Sequence, residues 1–151
     1  IKSHNILRAL NGAMKLCDFG LVNSKVTQAG TPCYMAPELL DNKTFNKSVD
    51  SYAFGVLLGE LHTKEIPFNM INVMDIRDRV INGDRPRAPT FGCSPRMIKL
   101  IKECWAQDSA DRPDFTTIVD ELIEVSDSIQ EYKATEGLGG GGDALDGLLA
   151  K

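Results

Sequence analysis

Hydrophobic positions along the chain follow two periods in succession. Ile6 to Leu10 and Met14 to Cys17 are short apolar runs joined across Asn11-Gly12. That dipeptide marks a hairpin, because Asn and Gly tolerate the positive φ values of a tight primed turn. From Ser48 onward the period becomes helical. Val49, Tyr52, Ala53, Phe54, Val56, Leu57, Leu58 and Leu61 leave almost no polar face, which predicts a helix to Thr63 buried all round. Asn72 to Asn82 predicts an exposed helix closed by Gly83. Ser94 and Pro95 read as N-cap and first helical residue, and Met97, Ile98, Ile101, Cys104 and Trp105 then share one face. A last helix is expected after Arg112-Pro113, carrying Phe115, Ile118, Val119, Leu122, Ile129 and Tyr132 at helical spacing. The fold class expected is mainly α with one short β-hairpin, the domain spanning residues 1–133. Six of the 13 glycines lie between Gly137 and Gly147, so residues 134–151 are expected to be a flexible Gly-rich tail.

Composition narrows the class. With 42% hydrophobic and 25% charged residues in 151, the chain can bury one core. Its longest apolar run, around Ala53 to Leu61, is about half what a bilayer crossing needs, so no membrane span is expected. No basic-then-apolar leader opens the sequence. Cys17, Cys33, Cys93 and Cys104 show no C-x-x-C spacing and read as buried thiols of a reducing compartment, and a cytoplasmic location is expected. A formal charge of -4 without a Lys/Arg block argues against a nucleic-acid partner.

Candidate chemistry lies in an ordered series. K-S-H-N-I-L (Lys2 to Leu7), the hairpin, D-F-G (Asp18 to Gly20), G-T-P-C-Y-M-A-P-E (Gly30 to Glu38), Asp50 at the start of the apolar helix, and Trp105 followed by D-R-P (Asp111 to Pro113) occur in that order. Each piece alone is weak; their order and spacing are specific. The series resembles the carboxy-terminal lobe of a eukaryotic protein kinase, and its wording is most similar to the tyrosine-kinase-like group of Ser/Thr kinases.

The resemblance implies roles that suit phosphoryl transfer, a reaction governed by positioning and charge neutralisation. Asp18 would hold Mg²⁺ bridging the phosphates of ATP, and Asn5 a second Mg²⁺. Lys2 would contact the γ-phosphate, and Thr31 would bond to the catalytic loop. Both features favour protein Ser/Thr hydroxyls as substrates. Leu7 would floor the adenine and Cys17 would border the nucleotide pocket. Glu38 and Arg112 would form a buried ion pair. Asp50 would accept backbone N–H groups from the catalytic loop, or simply favour the helix dipole. Ser24 and Thr27 are candidate phosphorylation sites between the two signature triplets.

By the same resemblance, the catalytic base, an Asp in H-R-D, stands one position before Ile1, and the Gly-rich loop, the strand lysine and its glutamate belong to an N-lobe further upstream. The expectation is therefore a C-lobe fragment with its N-lobe absent, inactive alone and with an apolar patch where the missing neighbours would cover the Ser48–Thr63 helix. The alternative is a pseudokinase or truncated lobe serving as a protein-interaction scaffold, for example through residues 72–89.

Overall fold

Gly12 decides the shape of the first element. The structure, a computed structural model, describes residues 1–19 and 31–138. In it β1 (Ile6–Arg8) pairs antiparallel with β2 (Met14–Leu16), Leu7 opposite Lys15. The connection is not the two-residue primed turn expected from Asn11-Gly12. Gly12 N–H donates to Ala9 C=O at 2.9 Å and Ala9 N–H to Ala13 C=O at 2.8 Å, with φ positive at Gly12 (84°) but not at Asn11. This is a three-residue loop with glycine in the left-handed position, and the Asn11 side chain serves it differently, accepting from Ala13 N–H at 3.1 Å.

The remaining elements are helical: α1 (Pro37–Leu40), α2 (Ser48–Thr63), α3 (Val73–Ile81), α4 (Pro95–Cys104) and α5 (Phe115–Leu138), with single 3-10 turns at Ser3–Asn5, Pro32–Tyr34 and Ser109–Asp111. Among the described residues the architecture is thus mainly α with one hairpin, as the sequence predicts. Caps set several boundaries. Asn72 accepts from Met74 N–H at 3.0 Å, and Ser94 accepts from Met97 N–H at 3.2 Å with Pro95 behind it. Gly83, at φ 97°, follows α3.

Helix α2 is the spine. Tyr52, Val56, Leu57 and Leu58 are buried on it, while α4 delivers Leu100, Ile101 and Cys104, its C-cap residue Trp105 joins them, and α5 delivers Ile118. Two glycines let α4 come close: a Cβ on Gly55 would lie 2.6 Å from the Cys104 Cβ, and one on Gly59 would meet the Trp105 ring at 3.2 Å. The helix is not buried on every side as expected, since Leu61 is 62% exposed. Phe54 and Phe115 close the α2–α5 contact edge to face, centroids 5.5 Å apart. Helix α5 itself runs beyond Lys133 to Leu138. Ala134, Glu136 and Leu138 are strong helix formers and carry it through Gly137 into the segment expected to be tail.

Candidate active site

Four backbone positions bring the candidate metal ligands to one end of the hairpin. Residues 3–5 form a 3-10 turn in which Asn5 N–H donates to Lys2 C=O at 3.0 Å. Asn5 C=O in turn accepts from Cys17 N–H at 2.8 Å, pinning the loop to the residue before Asp18. Asp18 takes a left-handed conformation, φ 64°. Such backbone costs an L-residue about 1 kcal/mol, tolerated best by Asp and Asn, and it persists where the surroundings enforce it. A carboxylate and an amide oxygen are therefore carried by neighbouring backbone. Among the described residues no group of three or more His, Cys, Asp or Glu could hold a metal. A hard cation that keeps water and phosphate oxygens in its shell needs only one or two protein ligands, so this pair fits Mg²⁺ bound together with a nucleotide.

The same loop meets the segment 31–34. Lys2 Nζ donates to Thr31 Oγ1 at 3.1 Å. Ser3 Oγ donates to Glu60 Oε1 at 3.1 Å, Tyr34 OH donates to Glu60 Oε2 at 2.6 Å, and the two hydroxyl oxygens lie 3.1 Å apart. Burial, and next the bond to Glu60, push the Tyr34 phenol well above its ordinary range. Burial likewise raises the neighbouring Cys33 thiol. Sequence reasoning missed Ser3, Tyr34 and Glu60. The available signal was Glu60 itself, the one carboxylate in the otherwise apolar stretch from Ser51 to Leu61.

Beneath this platform lies a buried ion pair. Arg112, with its side chain fully buried, meets Glu38 in bidentate fashion, Nη1 to Oε1 at 2.6 Å and Nη2 to Oε2 at 2.9 Å. Its other donors go to the carbonyls of Ala106 (2.9 Å), Ser48 (3.3 Å) and Gln107 (3.3 Å). Arg112 and Arg85 also lie over the Tyr52 ring, 5.1 and 5.2 Å from its centroid. Arg85 donates to Trp105 C=O at 2.6 Å, and burial lowers its pKa.

Other candidates are placed less decisively. Asp50 is exposed in the first turn of α2, and its carboxylate bonds to no described residue. The described part of the loop is tied to α2 two to three turns further along, at Glu60, and Asp50 is a favourable charge at the helix start. Leu7 is 56% exposed on β1, and Cys17 is half-buried beyond β2. Ser24 and Thr27 lie outside the described residues.

Comparison with known proteins gives the family. A family model described as protein tyrosine and serine/threonine kinase matches residues 1–122. A probable LIM domain-containing serine/threonine-protein kinase of Dictyostelium discoideum is 36% identical over 135 residues, 85% of this chain and 14% of the relative. The serine/threonine-protein kinase STY46 of Arabidopsis thaliana is 31% identical over 153 residues, 93% of this chain and 26% of the relative. The dual specificity protein kinase shkC of Dictyostelium discoideum is 36% identical over 136 residues, 83% and 27% respectively. The chain thus spans between about a seventh and a quarter of the length of these relatives. A match that begins at the loop, passes through the Glu38–Arg112 pair and ends inside α5 covers most of the described fold, and the chain therefore belongs to the protein tyrosine and serine/threonine kinase family.

Proposed function

We propose that this chain supplies the metal-binding and substrate-platform half of an ATP-dependent serine/threonine protein kinase. Bound Mg·ATP would supply the phosphoryl group and its counter-charge. Asp18 and Asn5 would hold the metal ions from the end of the hairpin, and the Lys2 ammonium would neutralise charge on the γ-phosphoryl oxygens. Thr31 holds the Lys2 ammonium between the loop and the 31–34 turn, beside which a substrate hydroxyl would lie. The Glu38–Arg112 pair fixes that turn to the helical core through α1. The observation that carries the reading is the 3.1 Å bond from Lys2 Nζ to Thr31 Oγ1, which sets a cation and a hydroxyl-bearing segment side by side next to the Asn5–Asp18 corner.

Two parts of a working kinase are proposed to come from the longer polypeptide: a carboxylate to orient the substrate hydroxyl, and the clamp on the α- and β-phosphates. The relatives' greater length supports this. Residues 1–151 alone are accordingly expected to transfer no phosphate. The test is phosphoamino-acid analysis of a generic basic protein incubated with the full-length polypeptide, ATP and Mg²⁺. Phosphoserine and phosphothreonine without phosphotyrosine are expected. Phosphotyrosine as the main product would overturn the Ser/Thr assignment, and absence of all transfer would favour a scaffold role.

A further inference from the structure

We propose that Ser3 is a positioning residue for phosphoryl transfer, its hydroxyl tying the Lys2–Asn5 loop to the Glu60 carboxylate of α2 and so holding Lys2 against Thr31. The inference rests on the kinase reading above for its catalytic consequence, but its geometry stands apart from it.

Proton counting gives the contact its direction. Ser3, Tyr34 and Glu60 make three oxygen–oxygen contacts of 3.1, 3.1 and 2.6 Å. Each hydroxyl has one proton to donate, and an ionised carboxylate has none. Two protons cannot serve three bonds at once, and bonds to a charged acceptor are the stronger ones. Both protons therefore go to Glu60, one to each oxygen. The Ser3–Tyr34 contact is then a close approach of two oxygens drawn to one anion. Ser3 is thereby fixed as a donor, its rotor locked by the charge below it.

What it is fixed to matters. Glu60 projects from α2 just after Leu57, Leu58 and Gly59, all buried, so the carboxylate stands on a helix packed into the core. Ser3 sits between Lys2 and Asn5, and Tyr34 closes the 3-10 turn that follows Thr31. Two cross-links thus run side by side between the same pair of segments: Lys2 to Thr31 directly, and Ser3 to Tyr34 through Glu60. The Lys2–Thr31 bond alone would leave both segments free to move together. Anchoring each to Glu60 removes that freedom, and placement errors of about 1 Å at a reacting group can cost about a hundredfold in rate.

The experiment uses the full-length polypeptide with Ser3→Ala, Ser3→Thr and Glu60→Gln. Steady-state phosphorylation with Mg·ATP is measured alongside amide exchange of residues 2–8 by mass spectrometry. Ser3→Ala is expected to lower kcat about tenfold, the order of one lost hydrogen bond to a charged group, with KM for ATP changed by less than about twofold. Exchange at residues 2–8 should quicken while α2 and α4 keep their protection, and Ser3→Thr should restore both readouts. A purely structural role would lower the melting temperature without changing kcat per folded molecule. Wild-type kcat and wild-type exchange in Ser3→Ala would overturn the proposal. If Ser3→Ala is insoluble, Glu60→Gln is read instead, since its amide accepts through one oxygen only, and unchanged loop exchange there overturns it too. Should the wild type transfer no phosphate, the kinase reading fails, and the exchange data alone decide whether the Ser3 anchor exists.

Discussion

Arg112 spends all five of its N–H donors on five acceptors, two carboxylate oxygens of Glu38 and three backbone carbonyls. Lysine has neither the fork nor the donors to replace it. Arg112→Lys and Glu38→Gln are each expected to cost about 3–5 kcal/mol in denaturant unfolding, through the polar groups left unpaired in a buried site; a loss under 1 kcal/mol in either would show that the pair is not buried as described. Alkaline pH probes the same core. Burial pushes both the Cys104 thiol and the Tyr52 phenol up to about 12. Their protonated forms are favoured by folding, so that stability is fully present below the unfolded values, about 8.5 and about 10, and is lost as pH rises toward about 12. The melting temperature should hold between pH 7 and 8 and fall steadily above about pH 9; a flat profile to pH 11 would contradict the burial of these two groups. Neither the Glu38–Arg112 pair nor the Ser3–Glu60 contact could be derived from local pattern, because each joins residues far apart in sequence. The first was legible only through its motifs. The second had no motif, and nothing in a serine and a glutamate 57 positions apart predicts that they meet.

Helices declare themselves more readily than their partners do. The unbroken apolar run made the bounds of α2 readable, and Ser94-Pro95 and Asn72 fixed the starts of α4 and α3 through capping chemistry that operates within a few residues. The hairpin loop was not readable in detail, because Asn-Gly suits both a two-residue primed turn and a three-residue loop with glycine last. Which one forms depends on strand register, set by the pairing of Ile6 with Leu16. Packing between helices was hidden as well. Gly55 reads as a neutral interruption, yet a Cβ there would stand 2.6 Å from the Cys104 Cβ and 3.2 Å from both the Ile101 carbonyl oxygen and the Trp105 nitrogen. Gly55→Ala should destabilise by about 1–3 kcal/mol or more, because backbone on α4 must shift. Gly59→Ala, which meets only the Trp105 ring, should cost less. Thermal melts of the two variants check the order, and an equal or reversed ranking would mean that α2 and α4 are not this close.

At the scale of the whole molecule, the apolar surface does not lie where the sequence suggested. Helix α2 is covered over most of its length, with Tyr52 and Val56 at 0% exposure, and Leu61 near its end is exposed. Exposed apolar side chains gather on the hairpin, at Leu7, Leu10, Met14 and Leu16, around the start of α3, at Met70, Val73 and Met74, and along α5, at Phe115, Val119 and Ile123. Residues 1–151 in isolation are expected to bind a hydrophobic dye through these surfaces, and charged substitutions at Leu10 and Met14 together should reduce the signal. No helix among the described residues is long and apolar enough to cross a membrane. The proposed placing of Asp18 and Asn5 for metal-assisted phosphoryl transfer is tested most directly by radiolabelled phosphate incorporation by the full-length polypeptide with and without Asp18→Ala. Mg²⁺-dependent incorporation by the wild type is expected, with a loss on the order of a thousandfold in the variant. Equal incorporation by both, or none by either, would contradict it.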